Sequence, residues 1–132
     1  MPDIPWFTPT QAAPGAEVYV MASRFETATL AGAVKFFLKA PGILGQIRKA
    51  PGAHGVALRA RVLSRTFLTL SAWEDRDALY RFARSEPHRA GSRTASAYMK
   101  ESAFTFWTVP AARLPVTWAE AERRLAEEKR AY

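Results

Sequence analysis

Cysteine and asparagine are both missing from the 132 residues, and histidine occurs only twice. Without cysteine there is no disulfide, no thiolate metal site and no cysteine nucleophile. Two histidines with no acidic cluster at ligand spacing make no case for a metal. No window approaches the ~18 consecutive apolar residues of a membrane-spanning helix. The opening Met1-Pro-Asp-Ile-Pro-Trp6 has neither the basic nor the apolar region of a secretory signal, so a cytoplasmic protein is expected. Also missing are a glycine-rich phosphate loop, a GxSxG elbow and a dinucleotide fingerprint. Charge of one sign is not concentrated either. Nineteen Lys and Arg against 12 Asp and Glu give a net +7, yet no five basic residues run together. Many stand beside acids, as in Glu120-Ala-Glu-Arg-Arg-Leu-Ala-Glu-Glu-Lys-Arg130, which describes a solvated surface better than a polyanion-binding one.

What is present suits one globular domain: 48% hydrophobic and 12% aromatic residues over a length that supports a single core. Residues 1–15 hold Pro2, Pro5, Pro9 and Pro14 and read as an extended, irregular lead-in tacked down by Trp6 and Phe7. The domain proper is expected over 16–132. Val18 to Phe25 alternates as a strand. A helix follows from Thr27, with Leu30, Val34, Phe37 and Leu38 on its apolar stripe. Pro41-Gly42 should break or kink it, before a continuation that ends near Ala50-Pro-Gly52. Val56–Leu63 and Thr66–Trp73 read as a hairpin across Ser64-Arg65. Asp75 caps a helix that buries Ala78, Leu79 and Phe82. Pro87 opens its continuation to about Lys100. Ala103–Val109 is the last strand, and Thr117-Trp-Ala-Glu120 is a capping box for a final helix.

That order predicts an α+β fold: a ferredoxin-like βαββαβ sandwich with an antiparallel sheet and an extra C-terminal helix. The helices are expected to bury Val18, Val20, Val56, Leu58, Leu68, Leu70, Phe104 and Phe106. The opposite face would then carry Tyr19, Met21, Ser23, Phe25, Arg59, Arg61, Phe67, Thr69, Ser71, Trp73, Thr105 and Trp107. Such a face is too aromatic to be left in water, and its arginines and hydroxyls set it apart from a plain core. A homodimer through this open face, closing a pocket for a small aromatic or hydrophobic ligand, is expected. An RNA-recognition module shares the strand order, but Arg65-Thr-Phe-Leu-Thr-Leu70 lacks the glycine of its aromatic strand motif, so nucleic acid is set aside. No membrane partner is expected.

The block Thr69-Leu-Ser-Ala-Trp-Glu-Asp75, with Ala78-Leu79, Phe82 and Ser85-Glu-Pro-His88, resembles the dimeric α/β-barrel superfamily. That superfamily includes the antibiotic-biosynthesis-monooxygenase-like proteins. Ala50-Pro-Gly52 and the tail Phe106-Trp-Thr-Val-Pro-Ala111, with Leu114-Pro115 and Trp118, are similar to features of the same group, in particular a small bacterial branch. The resemblance spans roughly residues 18–127. It implies two ferredoxin-like sheets face to face in a homodimer, with a pocket between sheet and helices in each subunit. It also implies cofactor-free oxidation of a phenolic or polycyclic aromatic substrate, with His88 near the pocket mouth as candidate proton acceptor. The alternatives are a non-catalytic ligand-binding or structural dimer, and a haem protein that uses His88.

The residues leave several roles open. His88 is either a general base or a helix-start histidine bonded to nearby backbone. Trp73 and Trp107 either stack on a planar substrate or fill the dimer core. Arg59, together with Arg61, holds a carboxylate or phenolate, or else forms an intersubunit ion pair. Phe25, Met21, Phe67 and Tyr98 complete the expected substrate wall, although the helical position of Tyr98 and Met99 equally suits packing. His54 reads as a surface loop histidine. Haem-degrading members of the superfamily use an asparagine, a helical tryptophan and a helical histidine. Here asparagine is missing, and the two helical offsets fall on Phe82 and Ser92. The expectation is therefore no cofactor, with haem disfavoured.

Overall fold

The computed structural model describes residues 3–85 and 99–131. One antiparallel sheet of five strands organises them: β1 (Asp3–Phe7), β2 (Glu17–Thr27), β3 (Ala53–Arg61), β4 (Thr66–Trp73) and β5 (Met99–Pro110), in the order β1-β3-β4-β2-β5. The helices are α1 (Leu30–Lys49), α2 (Arg76–Arg84) and α3 (Trp118–Ala131). Leaving β1 aside, this is the ferredoxin-like βαββαβ arrangement with a helix added at the C-terminal end. Among the described residues no helix is long and apolar enough to cross a membrane.

The ends of the elements follow local chemistry. Thr29 Oγ1 accepts from the Gly32 amide at 3.0 Å and starts α1. Asp75 Oδ1 accepts from the Ala78 amide at 2.8 Å and starts α2. Thr117 Oγ1 accepts from the Glu120 amide at 3.2 Å and starts α3, as the capping-box spacing predicts. Pro41 lies inside α1, a helix of 20 residues that continues through it, so of the expected break or kink the break does not occur. The expected hairpin forms with Arg61 opposite Thr66. A 3-10 turn at Val62–Ser64 closes it, with Arg65 in the left-handed region at φ +58°.

Within the lead-in, Asp3–Phe7 forms a strand on the edge of the sheet. Ile4 pairs with Leu58 and Phe7 with Val56 across a bulge. Its Trp6 indole lies directly over the backbone of Gly55, where a Cβ would fall 1.8 Å from Cζ2. Glycine at that position is a requirement of this close approach. The Thr10 amide donates to Ala53 O, and the His54 ring bonds Thr10 O at 2.7 Å. His54 therefore sits in β3 with a structural partner, not in a loop.

Two expectations about phase fail. The buried side of α1 is Ala33, Phe36, Ala40 and Ile47, while Leu30, Val34 and Leu38 point outward, Leu38 being 71% exposed. The two faces of the sheet are also not as expected. Tyr19 stands opposite Trp73, Met21 opposite Ser71, Ser23 opposite Thr69 and Phe25 opposite Phe67. Val56, Leu58, Phe104 and Phe106 share this face through the β3 and β5 registers. It is the face that α1 and α2 cover, through Phe36, Ile47, Leu79 and Phe82. Val18, Val20, Leu68 and Leu70 lie on the other face with Arg59, Arg61, Thr105 and Trp107. There α3 closes over them with Ala121 and Leu125, preceded by Val116. With both faces covered, the strands carry apolar residues at even and odd positions alike. Alternation then cannot say which set belongs together.

Candidate functional site

Between the sheet and helices α1 and α2 lies a cavity of about 470 Å³. Strands β2, β3 and β4 give it a floor of Met21, Ser23, Phe25, Val56, Leu58, Thr69, Ser71 and Trp73. Helix α1 gives a roof of Phe36, Ala40, Ile43, Leu44, Gln46 and Ile47, and α2 adds Leu79, Phe82 and Ala83. Met99, Ser102 and Phe104 of β5 close one side. The volume falls within the roughly 300–1,000 Å³ of small-molecule sites, and the apolar walls with few polar groups suit one.

Trp73 ends β4, where the strand hands over to the Asp75 cap. It is 1% exposed, its Nε1–H donates to Ser71 Oγ at 2.9 Å, and its ring lies 5.3 Å from that of Phe82. The indole is thus a fixed flat wall whose polar edge is already satisfied. Ser23 and Thr69, opposite one another on β2 and β4, share a hydroxyl–hydroxyl hydrogen bond. Gln46 differs: its Oε1 is buried with no hydrogen-bond partner among the described residues. None of the described lining residues is titratable.

Of the residues expected at the site, Trp73, Met21 and Phe25 line the cavity. Phe67 stands behind the wall, fully buried against Phe36 at 4.6 Å between ring centres. Arg59 and Trp107 lie on the opposite face of the sheet, which corrects both assignments. The Arg59 guanidinium sits 5.1 Å from the Trp118 ring and 3.9 Å from Glu122, and Arg61 reaches Glu122 at 3.8 Å. Arg124 lies 4.6 Å from the Trp107 ring. These groups fasten α3 to the sheet. His88 and Tyr98 lie outside the described residues. Met99, expected in a helix, begins β5 and lines the cavity.

Gln46, Ile43, Leu44, Leu79 and Phe82 were not expected to line the site, although Leu79 and Phe82 were expected to be buried. The signal available was the apolar run Ile43-Leu44 with Ile47 at helical spacing, interrupted by a single polar Gln46. The described walls offer a haem no imidazole, thiolate or phenolate. No group of three or more potential metal ligands occurs among the described residues.

Charge gathers at two places outside the cavity. At the far end of β2 the Lys100 ammonium, 3.4 Å away, holds the Glu26 carboxyl below the usual carboxylate range through its hydrogen bond, and Arg24 adds to this. At the other end, burial pushes the Tyr19 hydroxyl up, the neighbouring Tyr80 adds to the rise, and Arg76 opposes it. Arg76 in turn stacks on Tyr80 at 4.8 Å.

The arrangement is shared with solved structures. SnoaB of Streptomyces nogalater, a cofactor-independent oxygenase, is 19% identical with a TM-score of 0.58, over 76% of this chain and all of its own. A Nitrosomonas europaea protein provisionally assigned as an antibiotic biosynthesis monooxygenase is 14% identical with a TM-score of 0.65, over 76% of this chain and 94% of its own. The Rv0793 protein of Mycobacterium tuberculosis is 15% identical with a TM-score of 0.60, over 79% of this chain and 99% of its own. The fold is therefore that of the antibiotic-biosynthesis-monooxygenase-like proteins, as the sequence resemblance implied. Within that fold, residues 25–131 match the family described as a domain of unknown function, DUF3291, and the chain belongs to it. No curated protein matches the chain.

Proposed function

We propose that this protein is a monooxygenase-like homodimer that binds a small aromatic molecule in the cavity between the sheet and helices α1 and α2. It oxidises a phenolic substrate there without a cofactor. The observation that carries the binding is the cavity itself, about 470 Å³ with a rigid indole wall and almost wholly apolar surroundings. An apolar site of this kind orients a planar substrate for its meeting with O₂. The likeness to SnoaB, named a cofactor-independent oxygenase, supports the reaction class.

In the reaction a phenolic ring loses its hydroxyl proton to an acceptor, and the electron-rich ring carbon reduces O₂. The C–O bond forms, water leaves, and the balance is phenol plus O₂ to quinone plus water. In this proposal the acceptor is His88, the candidate that the resemblance supplied, which lies outside the described residues.

The homodimer is supported differently from the way the sequence suggested, because the aromatic face is covered by the chain's own helices. Phe104 and Phe106, each 43% exposed, stand on edge strand β5. Beside α3 the second face keeps a groove of about 1020 Å³ bordered by Arg24, Arg61, Glu101, Glu122, Leu68 and Leu125. Charges of both signs on an apolar base suit a self-complementary contact across a two-fold axis.

Oxygen uptake across a panel of phenols and hydroquinones tests the reaction. Uptake by the native protein that His88→Ala lowers at least ~100-fold is expected, the usual worth of a general base. Binding without uptake for every compound would leave a binding protein and sink the oxygenase reading.

A further inference from the structure

The outward side of α1 is apolar and basic at once. Leu30, Val34 and Leu38, the stripe expected to be buried, recur every fourth residue on its solvent side. Beside the start of α1 lies the turn between β3 and β4. Arg65 Nη1 donates to Ala28 O at 2.9 Å, and the Thr27 amide donates to Arg65 O. Val62 packs into the same cluster as Ala33 and Phe36, and the next residue, Leu63, is 81% exposed. Four of the six large apolar side chains exposed among the described residues thus belong to α1 and this turn. Single exposed leucines need no explanation, but a gathered set of this kind marks a contact surface.

Charge selects the occupant. The ionisable residues of α1 are Lys35, Lys39, Arg48 and Lys49, the turn adds Arg65, and neither element holds an acid. Lys35 and Lys39 directly follow Val34 and Leu38, so they run along the flank of the stripe. The acid closest in sequence, Glu26 at the adjoining end of β2, is held by Lys100 at 3.4 Å and Arg24 at 3.6 Å. A second copy laid α1 on α1 across a two-fold axis would set these cations against their own duplicates. An anionic bilayer meets them with opposite charge and offers the leucines an apolar layer, as a basic amphipathic helix requires.

We infer that the outward face of α1, together with Leu63, docks this protein on the surface of an anionic lipid bilayer. Leu30, Val34 and Leu38 enter the boundary between headgroups and acyl chains, and the lysine stems lie beside them with their ammonium groups among the phosphates. The contact is peripheral, since among the described residues no helix is long and apolar enough to cross. It is independent of the cavity reading, because the cavity lies against the opposite side of the same helix.

Co-sedimentation of the full chain with vesicles tests this, with phosphatidylcholine alone and with an equimolar mixture of phosphatidylcholine and phosphatidylglycerol. At low ionic strength the native protein should pellet with the mixed vesicles and stay in solution with phosphatidylcholine alone. Raising the salt to about 0.5 M should weaken binding at least ~tenfold. Leu38→Ser should weaken it by about tenfold or more, and Lys35→Ala by about fivefold, the worth of one cation at an anionic surface. Arg123→Ala removes a cation from α3, on the other face of the sheet, and should change nothing. Failure of the native protein to pellet with the mixed vesicles overturns the inference without any variant, and so does equal pelleting with phosphatidylcholine alone. Equal losses in Lys35→Ala and Arg123→Ala would make net charge alone responsible and overturn it too. Native-like binding by Leu38→Ser does the same. A native chain that ignores both vesicles while Leu38→Ser halves its mass in solution would make the stripe a contact between copies, and the inference falls.

Discussion

A side chain as small as a methyl group at Gly55 would collide with Trp6, 1.8 Å from Cζ2. Gly55→Ala should therefore lower stability by about 1–3 kcal/mol, the usual cost of overpacking. Adding Trp6→Ala should remove most of that penalty, as a double-mutant cycle in chemical denaturation would show. At the far end of β2, Lys100 holds the Glu26 carboxyl below its ordinary range. The folded state thus binds that proton less readily than the unfolded chain does. The contribution is complete above the ordinary carboxylate pKa and is lost as pH falls through the lower folded value. NMR titration should find the Glu26 midpoint depressed in the native protein and moved upward in Lys100→Met. An unchanged midpoint would count against the pair. At this scale the sequence was readable where a residue's role is local. Trp73 at the junction of strand and helix, and the caps at Asp75 and Thr117, follow from their immediate neighbours. Gln46 was not readable, because an unsatisfied oxygen is defined only by what surrounds it in three dimensions.

The elements were legible in type and order but not in phase. Helix α1 has apolar residues all round: Leu30, Val34 and Leu38 form as regular a stripe as Ala33, Phe36, Ala40 and Ile47. Periodicity alone chose the larger side chains. The sheet chose the smaller ones, because alanines permit close approach and Phe36 fills the space beside Phe67 and Phe25. The same ambiguity swapped β3 and β5 between faces and took Arg59 and Trp107 to the far side of the sheet. There α3 is the element that decides burial. Leu125 is buried on the second face, and Leu125→Ala should cost about 2–5 kcal/mol in denaturant unfolding. Arg59→Ala, which removes a contact to Trp118 and a long ion pair to Glu122, should cost under ~1 kcal/mol and leave ligand affinity unchanged. A large loss of affinity in Arg59→Ala would mean that the ligand site lies on the second face.

Among the described residues, an antiparallel sheet covered on both sides by helices leaves a space between sheet and α1–α2. It also leaves a groove beside α3. The homodimer is expected to use the groove and the β5 edge, and light scattering at micromolar concentration should give twice the 14.7 kDa chain mass. A mass of one chain would remove the two-fold contact without touching the cavity. The fold class could be read from the sequence because strand and helix order survive errors of phase. The site could be read only in part, since a cavity is a property of two packed layers and not of either one. Two indole N–H groups on opposite faces offer the most direct test. Trp73 stands in the cavity wall and Trp107 under α3. In an NMR titration with 2-naphthol, the Trp73 Nε1–H signal and the Met21 and Met99 methyl signals should shift together and saturate, with Trp107 Nε1–H unmoved. Movement of Trp107 alone, or of none of these signals, would contradict the account.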